Sequence, residues 1–205
     1  YNGGYAYLAN SALIGQITFK QSSTVRMTTT RQYDLLNRLQ SIGSVPGNTA
    51  HLPFSFAYLY NDANQRVRAT LQDGSFWIYA YDELGQVISG KRYWPDGTPV
   101  AGQQFEYGFD DIGNRTSTKA GGNSAGTGLR PATYAANLLN QYSSRSVPGA
   151  VDVLGIATAQ AAVSVNSDTN VYRRGEYFHK EVTVNNSSTA QYPLLSVTAS
   201  QGGHQ

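Results

Sequence analysis

Tyr79-Ala80-Tyr81-Asp82-Glu83-Leu84-Gly85-Gln86-Val87 is the stretch whose reading decides the fold. Tyr79 and Tyr81 are two residues apart, which puts both rings on one face of an extended strand. Asp82 carries a short polar side chain that can bond the backbone two residues on and start a turn. Gly85 can take a positive φ without steric cost. Gln86-Val87 then returns as the next strand. The stretch predicts a strand, a tight turn and a second strand.

The unit recurs. Tyr33-Asp34-Leu35-Leu36-Asn37-Arg38-Leu39, Tyr60-Asn61-Asp62-Ala63-Asn64-Gln65-Arg66 and Phe109-Asp110-Asp111-Ile112-Gly113-Asn114-Arg115 are further copies, and Ala136-Asn137-Leu138-Leu139-Asn140-Gln141-Tyr142 is a weaker fifth. Lead positions 33, 60, 81, 109 and 136 differ by 27, 21, 28 and 27 residues. A near-constant period of this size marks a repeat architecture. Position one is aromatic in the first four copies, and Tyr58, Tyr79 and Tyr107 stand two residues before three of these lead rings. Position two is Asp or Asn throughout. Position five is Asn37, Asn64, Gly85, Gly113 or Asn140, the two residue types with the easiest access to the left-handed region. Position six is Arg or a side-chain amide.

The pattern Y-x-Y-D-x-x-G-R/N resembles the YD repeat of Rhs proteins, of teneurins and of the C subunit of insecticidal toxin complexes. The resemblance covers about residues 29–145. Asn replaces Gly in three copies, and the fifth lacks its lead aromatic. The resemblance implies long β-hairpin strips that spiral into a hollow shell, with this chain as a segment of the wall. It also implies that full-length members can enclose a C-terminal toxin and release it by self-cleavage. The partners it implies are the remaining segments of a longer protein and an encapsulated C-terminal domain; a surface glycan is the other partner considered. The setting implied is bacterial, secreted or at the cell surface.

Composition points the same way. Of 205 residues, 40% are apolar and 14% charged, and 15 tyrosines and 21 glycines accompany a single methionine. Aromatics favour strands and Gly favours turns, so this suits a β-rich structural protein better than a helical enzyme. A net charge of +2 gives no electrostatic case for nucleic acid. The absence of cysteine excludes disulfides and thiolate metal sites. No signal peptide or membrane span is visible. The abrupt, strand-like start at Tyr1 is read as the start of a piece of a longer protein.

The predicted organisation is all-β in three parts. Residues 1–30 are leading strands, Tyr5–Leu8, Leu13–Phe19 and Thr24–Thr28, expected to pair with a partner outside this segment. Residues 31–145 are the YD-repeat β-hairpin strip. Asp73-Gly74 and Pro95-Asp96-Gly97 add hairpin turns between copies. Trp77, Tyr79 and Tyr81 share one face of their strand, with Phe76, Ile78 and Ala80 on the other. Both faces are apolar, which predicts a strand that is covered on both sides or lines a wall. Four glycines in 120–131 predict a flexible loop or linker. Residues 132–142 have some helix propensity, but their fit to the repeat favours a turn. Residues 146–205 alternate at Val163 and Val165, Val182 and Val184, and Leu195 and Val197. They read as a β-sandwich-like domain or insertion of the immunoglobulin or fibronectin kind, incomplete within this chain.

Candidate chemistry is sparse. His51, His179 and His204 lack metal-ligand spacing and are expected on the surface or in loops. Asp82-Glu83 and Asp110-Asp111 are adjacent carboxylates, but neighbouring strand residues face opposite ways and Asp82 and Asp110 have the turn role. No nucleophile-elbow, phosphate-loop or dinucleotide motif is present. No catalytic, cofactor-binding or metal-binding residue is predicted, and no cofactor. Tyr93-Trp94 could form a platform for sugar rings; packing in the wall is the alternative. Asn114-Arg115-Thr116 and Asn185-Asn186-Ser187-Ser188 contain glycosylation acceptor patterns, relevant only in a eukaryotic secretory route. The function read from the sequence is a non-catalytic wall segment of a shell or cell-surface scaffold. The alternative is a secreted β module that recognises carbohydrate or a partner protein.

Overall fold

The computed structural model describes residues 1–202, and among these it contains strands and turns but no helix. Twelve strands follow one another in chain order, antiparallel to their neighbours within each unit. The chain divides into two compact units, taken in turn below: residues 1–80 with 93–97, and residues 81–92 with 98 onward.

The first unit is a meander of β1 (Asn2–Tyr7), β2 (Ile14–Gln21), β3 (Thr24–Tyr33), β4 (Leu39–Pro46), β5 (Phe54–Tyr60), β6 (Arg66–Leu71) and β7 (Phe76–Tyr81, in this unit to Ala80). The leading strands find partners inside the segment, contrary to expectation. β1 pairs with β2 and β2 with β3, whose far end runs into the first YD turn. β3 and β4 are joined by a buried Thr29–Ser44 hydroxyl pair at 2.8 Å. β7 is not covered on both faces, one of the two arrangements its sequence allowed. None of its six side chains is fully buried, and Ile78 is exposed.

The second unit continues with β8 (Val87–Tyr93, in this unit to Arg92), β9 (Pro99–Phe109), β10 (Arg115–Gly121), β11 (Leu129–Ala136) and β12 (Tyr142–Arg145). β10 pairs with β9 and β11, and β11 with β12. Residues 132–142 are therefore strand, turn and strand, as the repeat required. The glycine-rich stretch is not a linker. It holds a tight turn between β10 and β11, in which the Asn123 side-chain oxygen accepts from the N–H groups of Ala125 and Thr127 and Gly126 has φ 75°. Glycine count suggested flexibility, but the Asn and the Gly three residues on are the acceptor and the left-handed residue of the same turn type.

Five further strands lie in this unit: β13 (Ala150–Ile156), β14 (Ala162–Val165), β15 (Tyr172–Arg174), β16 (Tyr177–Thr183) and β17 (Val197–Ser200). They form a three-stranded sheet in the order β13-β16-β15 and a two-stranded sheet of β14 with β17. β13 and β16 touch β9 of the hairpin strip. The densest burial lies in this unit: Val100, Ala101 and Gln104 of β9, Ala132 of β11, Val163 and Val165 of β14, and Tyr177 and Phe178 of β16. Gln104 is an amide at the centre of this core. Its Nε2 donates to the carbonyls of Arg92 and Val100, which satisfies its donors where water cannot reach.

Candidate functional site

All five YD turns have one geometry. The N–H of position two donates to the carbonyl of position six at 2.9–3.0 Å, and the N–H of position five donates to the carbonyl of position two at 2.9–3.1 Å. The position-two side-chain oxygen accepts from the position-six N–H at 2.7–3.0 Å in every copy. Position five is left-handed throughout, with φ of 62° at Asn37, 61° at Asn64, 81° at Gly85, 88° at Gly113 and 58° at Asn140. This is a type I turn closed by a left-handed residue, a common hairpin connection. Asp and Asn interchange at position two because the turn needs only an acceptor. Asp82 and Asp110, the carboxylates weighed for acid–base chemistry, each use Oδ1 to accept from two backbone N–H groups of the turn. At Asp110 the Asn114 amide and then the local backbone N–H groups outweigh desolvation and hold the carboxyl below the ordinary aspartate range.

Position six stitches neighbouring turns together. In the first unit the Arg38 guanidinium pairs with Asp34 at 2.6 Å within its own turn. It also donates to the Asn61 carbonyl at 3.2 Å and to Asn64 Oδ1 at 2.9 Å in the next turn, and it lies 5.0 Å from the Tyr60 ring centre. In the second unit Asn114 Nδ2 donates to Asp110 in its own turn at 2.9 Å and to Asn140 Oδ1 in the next at 3.3 Å. Gln86 sits so close to the following turn that a Cβ on Gly113 would lie 3.2 Å from its amide nitrogen. Lead rings reach the other way: Tyr33 OH donates to the Ile14 carbonyl and Tyr60 OH to the Leu39 carbonyl. The fifth copy lacks a lead ring, and Tyr142 at its position seven accepts from the Arg115 N–H at 2.8 Å.

Three of the rings two residues before the lead position are capped by arginines. Arg66 lies 4.1 Å from the Tyr58 ring, Arg115 lies 5.0 Å from Tyr107 and Arg145 lies 5.2 Å from Tyr134. Tyr134 thus fills this role in the fifth copy, an equivalence that the missing lead aromatic hid. Tyr93 stacks on Phe76 at 5.7 Å, and the Arg68 guanidinium lies over the Phe76 ring at 3.7 Å. The geometry supports packing for Tyr93 over an open sugar platform.

A second polar constellation holds β13 and β16 to the strip. Asp152 on β13 pairs with Arg130 on β11 and with His179 Nε2 on β16 at 2.7 Å; Arg130 also pairs with Glu181. His179 is 8% exposed, so the surface or loop position expected for it is wrong. It packs over Gly102 of β9, where φ is 77° and a Cβ would come within 2.6 Å of both His179 and Leu154. Tyr177 OH donates to the Ala101 carbonyl beside it at 2.5 Å. Burial pushes the Asp152 carboxyl up, but the hydrogen bonds from His179 and Arg130 outweigh it and hold the group below its ordinary range. Both Asp152 oxygens are engaged, so the arrangement clamps strands. Its bonded pairs are 22 to 51 residues apart in sequence, and no local signal marks them. His51 is exposed in a loop, and His204 lies outside the described residues. Among the described residues no group of three or more His, Asp or Glu could hold a metal ion, and no helix is long and apolar enough to cross a membrane.

No family model and no curated protein matches the chain. Solved structures do. A crystal structure of TcdB2-TccC3-Cdc42 is similar over 96% of this chain, with a TM-score of 0.59 and 14% identity. The Tc holotoxin pore of Photorhabdus luminescens is similar over 77%, with a TM-score of 0.55 and 16% identity. A crystal structure of TcdB2-TccC3-TEV is similar over 75%, with a TM-score of 0.53 and 17% identity. The chain spans 10% of the first of these chains and 7% of the other two. At these identities the likeness is one of fold. The YD-repeat resemblance and the fold agree: this chain has the all-β hairpin-strip fold found in a segment of the Tc toxin-complex structures.

Proposed function

We propose that this chain is a non-catalytic wall segment of a longer, YD-repeat shell protein, bacterial and secreted or displayed at the cell surface. The observation that carries the reading is the stitch from position six of one turn to position five of the next, seen as Arg38–Asn64 and Asn114–Asn140. A device that fixes each hairpin to its neighbour serves a continuous wall and has no use in chemistry. The fold likeness supports it, since nearly all of this chain matches a tenth of a much longer one. Residues 31–145 are the strip in this reading. Residues 146–205 are a β-sandwich-like domain or insertion, clamped to β9 and β11 through Asp152, His179 and Arg130. Its partners are the other segments of the longer protein, and an enclosed C-terminal domain is its cargo. Electron microscopy of the complete product of the gene tests this. A hollow particle with this segment in its wall is expected. A compact particle without an enclosed space overturns the reading.

A further inference from the structure

We infer that the YD turns form an apolar docking edge whose occupant is the edge of another hairpin strip in the same longer protein; this rests on the wall-segment reading. Position four is apolar in all five copies: Leu36, Ala63, Leu84, Ile112 and Leu139. In the second unit Leu84, Ile112 and Leu139 are 71%, 70% and 77% exposed. Their turns stand side by side: the Gln86 amide lies next to Gly113, and Asn114 bonds Asn140. In the first unit Leu36 is likewise exposed, next to a fully exposed Leu35.

The turn does not require these side chains. It uses the side chain of position two, the left-handed backbone of position five and the N–H groups of positions four to six. Turn tips facing water ordinarily carry polar residues. An aligned row of exposed apolar side chains instead marks an interaction surface.

Spacing selects the occupant. Successive YD turns are one hairpin, or two strands, apart, which is about 10 Å at the ordinary strand separation. A row of apolar tips at this period meshes with a surface of the same period. The edge of another hairpin strip has it by construction, while a bilayer or an unrelated globular protein does not. Chains of this fold are long enough to supply such an edge, since the first structure compared is about ten times the length of this segment. Glu83 and Asp111 flank the tips at position three, so the facing tips carry neutral or basic side chains.

These 205 residues contain no cysteine, and any cysteine elsewhere in the complete gene product is first replaced by serine, so that each substitution reports its own site. Leu84→Cys, Ile112→Cys and Leu139→Cys are made in the complete gene product, with Ser187→Cys in an exposed loop as reference. Labelling by a maleimide-polyethylene glycol is timed on native protein and in denaturant. At least tenfold slower native labelling is expected at the three tips, with Ser187→Cys reacting near its denatured rate. Tips that react as fast as Ser187→Cys in a particle that microscopy shows to be a shell overturn the docking edge and leave the wall reading intact. Reactive tips in a particle with no enclosed space overturn both.

Discussion

Arg38 and Asn64 are 26 residues apart in the chain, and the Arg38 guanidinium donates to Asn64 Oδ1 at 2.9 Å. Asn114 and Asn140 are also 26 apart and make the corresponding contact. The repeat therefore does more than reproduce a turn. At two junctions it places a donor of one copy at the acceptor of the next, and at the first of them the donor also stacks on Tyr60, the lead ring of the second copy.

Replacing Arg38 tests the stitch. Arg38→Ala removes the ion pair with Asp34, two bonds to the next turn and the stacking contact. These are partly exposed interactions, so a loss of about 1–2 kcal/mol is expected from urea unfolding. Arg38→Lys should recover less than half, because a lysine cannot reach Asp34, Asn61 and Asn64 through one fork. Full recovery with lysine would reduce the contact to simple charge.

The left-handed position separates residue types. Gly113 has φ 88°, so Gly113→Val should cost about 1 kcal/mol or more, while Gly113→Asn should be tolerated as it is in three natural copies. Gln86 is the near neighbour of a new Cβ and is a flexible side-chain end that can yield. Thermal unfolding distinguishes the two variants, and equal stability would refute the account of position five.

Gly102 tests the seat of the second sheet. A Cβ there would strike His179 and Leu154, and the backbone is left-handed as well. Gly102→Ala should destabilise by about 1–3 kcal/mol. Hydrogen exchange should quicken in β16 first, since His179 is displaced. Uniform quickening over the whole chain would argue that β9 and β16 do not form a local unit.

The clamp should respond to acid. Asp152 has a lowered pKa in the folded protein, so its contribution is fully present above the ordinary aspartate value and is lost as pH falls through the lower folded-state value. The urea midpoint should fall over that acidic range. Asp152→Asn should be less stable at neutral pH and show a shallower acid dependence. An unchanged acid slope would assign it to other carboxylates.

Activity provides a check of a different kind. Oδ1 of Asp82 and of Asp110 is bound into the turn, so no hydrolysis of polysaccharide, ester or peptide substrates is expected. A turnover abolished by Asp82→Asn or Asp110→Asn, with the fold intact by circular dichroism, would contradict the structural role.

The turns were legible in the sequence because everything that makes them lies within five residues. An acceptor at position two, a residue tolerant of positive φ at position five and strand-forming flanks are local facts, and the tertiary structure left them unchanged at Asp34, Asn61, Asp82, Asp110 and Asn137. The turn at Asn123 was equally local, but its four nearby glycines outweighed its Asn-x-x-Gly spacing. The stitches were not legible. Arg38 finds Asn64 only once β4 and β5 pair and bring two turns to one edge. Nor was the clamp: Arg130, Asp152, His179 and Glu181 come from three strands, and only the seating of β16 over the open backbone at Gly102 buries His179 and gives it a partner. Local hydrogen bonding chose the hairpins; sheet register and the packing of one sheet on another decided which distant side chains meet.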